Sequence, residues 1–100
     1  YTKAFGKAPY FDQPFYVGFE IGGYELGLHP YGDKAVKAGD NVVAYWGVED
    51  VDVALRHMRD HGAEPHEPAT DVGEGIKVGS VVDPFGNVIG LIQNPNFKTR

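Results

Sequence analysis

The sequence predicts an α+β fold in which strands outnumber helices. Three observations carry this. Fourteen glycines and seven prolines in 100 residues divide the chain into short elements and many turns. Apolar residues alternate with a period of two in several segments, whereas residues 51–58 follow a helical period. From Asn41 onward the order is strand, helix, strand, strand, strand, and a shorter version of that order precedes it.

Tyr1 to Gly6 reads as the tail of a helix. Tyr1 and Phe5 stand at i and i+4, and Gly6 takes the place of a C-terminal cap. Six residues do not make a stable helix by themselves, so the opening strand and most of this helix are expected upstream of Tyr1. Phe15, Val17, Phe19 and Ile21 alternate as in a half-buried strand, Gly22-Gly23 marks a turn, and Tyr24 to His29 returns as the second arm of a hairpin. Residues 30–40 form a connector. Val42 to Val48 is apolar on both faces and is expected to be covered on both. Asp50 is placed as an N-cap, with Asp52 in the first turn. Val51, Ala54, Leu55 and Met58 form one stripe of an amphipathic helix that Gly62 ends.

Glu64 to Glu67 is expected as a short edge strand, because Pro65 and Pro68 exclude a central position. Ala69 to Gly75 reads as a polar loop and Ile76 to Asp83 as a strand. Asp83-Pro-Phe-Gly-Asn87 is a turn, Val88 to Gln93 the last strand, and residues 94–100 a polar tail containing Phe97. The chain is thus read as a single domain. Residues 1–29 form a partial first half and 41–93 a complete second half. Glu25-Leu-Gly-Leu-His29 and Val88-Ile-Gly-Leu-Ile92 close the two halves with the same Gly-Leu pair.

Composition narrows the function. Without cysteine there is no disulfide framework, no cysteine zinc site and no thiol nucleophile. The net charge of -5, with scattered Lys and Arg, gives no electrostatic footprint for nucleic acid. No apolar run approaches a membrane span, and no segment resembles a signal peptide, so a cytoplasmic location is expected.

Three stretches carry a family resemblance: Trp46-Gly-Val-Glu-Asp-Val-Asp-Val-Ala-Leu55, His61-Gly-Ala-Glu64 and Val82-Asp-Pro-Phe-Gly-Asn-Val-Ile-Gly-Leu-Ile-Gln93. With Phe5-Gly6 and the Gly22-Gly23 hairpin, the chain resembles the vicinal oxygen chelate superfamily. That superfamily includes glyoxalase I, bleomycin-resistance proteins and extradiol dioxygenases. The resemblance implies paired βαβββ modules forming a curved mixed sheet around a cleft, the first module lacking its N-terminal strand and most of its helix.

The resemblance also implies a divalent metal ion held by His and Glu on the cleft face. Carried over residue by residue, the ligand positions fall on Gly27, Val43 and Gly90, none of which has a donor side chain, and a fourth falls before Tyr1. The expectation is therefore no metal and no other cofactor. Glu25 and His29 share a strand face with Gly27. They are the candidates for acid–base chemistry or ligand binding, or else a polar rim. Four residues apart, they stand roughly 13 Å from each other along the strand, too far to share an ion. His57 and His61 have the i, i+4 spacing of a zinc motif, but Met58 replaces the glutamate that motif needs, so they read as a solvated helix face. His66 reads as a loop residue.

In this register Val43 and Tyr45 face the cleft, Ala44 and Trp46 pack under the helix, and Ser80 and Val82 join the cleft wall with Val88, Gly90 and Ile92 opposite. Core packing is the competing account of Tyr45 and Trp46. Asp71 to Gly75 reads as a lid or a plain connector. The function expected is binding of a small hydrophobic or aromatic molecule without the usual metal. The alternatives are a metal-dependent lyase, isomerase or dioxygenase with shifted ligands, and a regulatory or dimerisation module. A homodimer is expected, since Phe5, Phe11, Phe15 and a sheet edge are left uncovered.

Overall fold

A computed structural model describes residues 1–30 and 41–96. The connector and the end of the tail, Phe97 included, lie outside the described residues. The chain divides into two compact units, Tyr1–Asp40 and Asn41–Arg100.

In the first unit, α1 (Thr2–Phe5) ends where Gly6 takes φ 65 and its amide donates to the Thr2 carbonyl. Tyr1 stacks on Phe5 and its ring lies 6.5 Å from that of Phe19. Strands β1 (Phe11–Gln13), β2 (Tyr16–Ile21) and β3 (Tyr24–Leu28) form an antiparallel sheet in that order. Gly22 and Gly23 both adopt positive φ, the geometry of the tight hairpin turn between β2 and β3. Phe15 falls in the turn before β2, so the strand begins one residue later than its alternation suggested. Val17, Phe19, Leu26 and Leu28 share one face, on which Phe19 is buried.

The second unit has the βαβββ order: β4 (Ala44–Gly47), α2 (Val51–Asp60), β5 (Glu64–Gly73), β6 (Ile76–Val82) and β7 (Val88–Gln93). The sheet order is β4-β7-β6-β5, with β4 parallel to β7 and the other pairs antiparallel. Helix α2 begins where the Asp50 carboxylate accepts from the amides of Asp52 and Val53, at 3.0 and 3.1 Å. The Gln93 side-chain oxygen accepts from the Val51 amide and ties the end of β7 to the helix start. Val51 and Leu55 pack on Val81 and Leu91. Each buried aliphatic side chain contributes about 1.5–3 kcal/mol.

Four expectations are corrected. The strand over 42–48 is shorter, and all four residues of β4 are exposed. Trp46, expected under the helix, is 64% exposed. Alternation does turn it to the helix side, but α2 packs over β5, β6 and β7 and leaves the β4 edge open. Strand β5 is an edge strand, as its prolines require, yet it runs to Gly73. Register shifts between Pro65 and Glu67 and between Glu67 and Thr70 absorb the prolines. Asp71 and Gly73 therefore pair with Lys77 and Ile76, so 71–75 is hairpin and not a free lid.

Candidate functional site

On β6, Lys77, Gly79 and Val81 face α2: the Lys77 ammonium bonds Asp52, and Leu55 lies against Gly79. Alternation turns Ser80 and Val82 to the opposite face, with Val88, Gly90 and Ile92 of β7 and Tyr45 of β4. Val43, half-buried, lies just before β4. The register places one row across four strands: Tyr45 opposite Gly90, Gly90 opposite Ser80, and Ser80 opposite Glu67.

The Tyr45 ring lies across Gly90. A Cβ built on Gly90 would stand 2.6 Å from Tyr45 Cε1 and 2.8 Å from Cγ, so a side chain there requires the ring or the strand to shift. Partial burial, and then the Glu67 carboxylate, raise the Tyr45 pKa and keep the phenol protonated. Ser80 is buried, and its hydroxyl lies 2.8 Å from His66 Nδ1. His66, expected in a loop, is thus on β5 and serves as the hydrogen-bond partner of a buried hydroxyl. The bulge beside Pro65 brings it there. Its position between two prolines on an edge strand was the available signal.

The first unit repeats the device. Gly18 and Gly27 are directly opposite on β2 and β3. The Tyr10 ring covers Gly18, its nearest atom 3.0 Å from where a Cβ would stand. Tyr16 covers Gly27 in the same way, its Cζ only 2.8 Å from the corresponding point. Aromatic rings laid over strand glycines fill the pit that the missing side chains leave. The Tyr10 and Tyr16 hydroxyls donate to the two oxygens of the Glu25 carboxylate. The Tyr16 ring also meets His29 edge-on at 5.0 Å between centroids. Tyr16 thus touches both Glu25 and His29. The bond to Glu25, more than burial, pushes the Tyr10 pKa up to about 12. Burial and then the same carboxylate raise that of Tyr16.

Tyr10 and Tyr16 were absent from the site expected on sequence grounds. Two glycines inside adjacent strands were the legible sign that something else comes close there.

Among the described residues no three His, Asp or Glu side chains come together as a metal-binding group. The residues at 27, 43 and 90 do not fit a metal ion. None offers a donor, and tyrosine rings occupy the space over two of them. His57 on α2 and His61 at its C-cap are exposed. No helix among the described residues is long and apolar enough to cross a membrane.

The family model of the Glyoxalase/Bleomycin resistance protein/Dioxygenase superfamily matches residues 1–91. Among solved structures, the chain is similar to a protein described as NAD-dependent benzaldehyde dehydrogenase from Legionella pneumophila. The TM-score is 0.70 at 20% identity, over 93% of this chain and 83% of that one. It is also similar to a glyoxalase-related enzyme from Fulvimarina pelagi, with a TM-score of 0.50 at 23% identity, over 95% of this chain and 76% of that one. At these identities the likeness speaks for the fold. None of the curated proteins matches the chain.

Proposed function

Since the chain belongs to the Glyoxalase/Bleomycin resistance protein/Dioxygenase superfamily, we propose that it binds a small, flat, hydrophobic or aromatic molecule without a metal ion at the family's usual ligand positions. The observation that carries this reading is the replacement of side chains at Gly27 and Gly90 by the rings of Tyr16 and Tyr45. A tyrosine face offers a ligand apolar area and stacking, with a hydroxyl at its rim. Such a surface suits recognition more than coordination chemistry, and each tyrosine-covered face has its own polar pair beside it, Glu25–Tyr16 in the first unit and Ser80–His66 in the second.

The test is binding of planar aromatic compounds, followed by saturation-transfer NMR, before and after exhaustive dialysis against a chelator. Equal binding in both samples, weakened by Tyr45→Ala, supports the reading. Binding or turnover that appears only on reloading with Ni²⁺, Zn²⁺, Fe²⁺ or Mn²⁺ would favour a metal-dependent lyase, isomerase or dioxygenase.

Self-association belongs to the same reading. Phe5, Phe11 and Phe15 are 48%, 38% and 66% exposed, and β1 and β4 are edge strands. A homodimer covers such surface, and sedimentation at micromolar concentration checks it. A monomer there would contradict this part of the proposal.

A further inference from the structure

We propose that His57 and His61 form a two-nitrogen chelate for a borderline divalent ion of the Ni²⁺, Cu²⁺ or Zn²⁺ class on the exposed flank of α2. The two residues are one helical turn apart, with ring centroids separated by 4.3 Å and planes inclined by 40°. Both are exposed, so an ion reaches them without opening the core. His61 is the C-cap, and its Nδ1 lies 2.8 Å from the His57 carbonyl oxygen.

A carbonyl only accepts, so Nδ1 of His61 carries a proton, and in the neutral ring Nε2 keeps its lone pair. That bond fixes the tautomer and the ring orientation, as a backbone carbonyl does behind many metal-bound histidines. Imidazole nitrogens about 2.0–2.1 Å from a shared ion require rings in close proximity, which this pair already has. Imidazole suits these three ions, and with two protein ligands water fills the remaining positions. Magnesium and calcium, which prefer oxygen donors, are excluded by the same chemistry.

This site shares no residue with the tyrosine-covered faces, and its failure leaves the binding proposal intact. The experiment is a calorimetric titration of Ni²⁺ into protein freed of any histidine tag, repeated on His57→Gln and His61→Gln. Both positions are exposed, and circular dichroism confirms that each variant is folded. Binding near one ion per chain is expected. Each variant should bind at least about tenfold more weakly, the scale on which even an outer partner of a ligand acts. Paramagnetic Cu²⁺ should broaden the ring protons of His57 and His61 first. Absence of binding, unchanged affinity in either variant, or broadening centred on His29 or His66 would overturn the proposal.

Discussion

At the scale of single residues, Gly18, Gly27 and Gly90 leave the room that tyrosine rings fill. A Cβ at Gly90 meets the Tyr45 ring well inside contact distance. Gly90→Ala should therefore displace that ring or strain the strand, costing about 1–3 kcal/mol, as overpacking does. Urea denaturation checks the cost, and an unchanged midpoint would show that the ring moves freely. Glu25 makes a second prediction. Its bond holds the Tyr10 phenol up at about 12, against an ordinary 10.0. The raised value means that the folded chain keeps a proton the unfolded chain releases. This contribution to stability is complete below pH 10.0 and is lost as pH rises through about 12. In Glu25→Gln the Tyr10 titration, followed by NMR, should fall toward 10.0. The strand face shared by Glu25, Gly27 and His29 was legible from alternation. The tyrosines were not, because a ring laid across a neighbouring strand depends on register, which local sequence does not contain.

At the scale of elements, local chemistry explains what the sequence disclosed. Helix α2 combines the Asp50 cap with a stripe at helical spacing, and both signals lie within a few residues of each other. Asp50→Ala should cost about 1 kcal/mol, lowering the melting temperature of the chain by roughly 4–8 °C. The turn 83–87 is equally local. The Asp83 carboxylate accepts from the amides of Phe85 and Asn87 at 2.9 Å. The Asn87 amide chiefly holds its pKa below the ordinary carboxylate value. Stability from this turn is thus present above the unfolded carboxyl pKa and lost as pH falls through the depressed one. Asp83→Asn should flatten that part of the acid limb in a pH series of denaturation curves. Strand β5 shows where local reading ends. Pro65 and Pro68 identified an edge strand, but its continuation to Gly73 depends on bulges against β6. Trp46 makes the same point, since alternation assigns its side of the sheet but not whether a helix reaches that far.

At the scale of the whole molecule, two units carry the same device on different strands: a glycine, a tyrosine lying over it, and a carboxylate beside the phenol. Tyr16 bonds Glu25 in one unit, and Glu67 influences Tyr45 in the other. Gly27 and Gly90 each stand in the Gly-Leu pairs at 25–29 and 88–92. A fold shared across a superfamily does not choose between binding and catalysis, so the choice rests on these residues. The proposed recognition works without metal at Gly27, Val43 and Gly90. Its most direct test is the metal content of the His57→Gln/His61→Gln protein, purified without chelator and assayed alongside aromatic ligand binding. Ligand binding with no stoichiometric metal is expected. A tightly held Ni, Zn, Fe or Mn ion in each chain, whose removal abolishes binding, would contradict it.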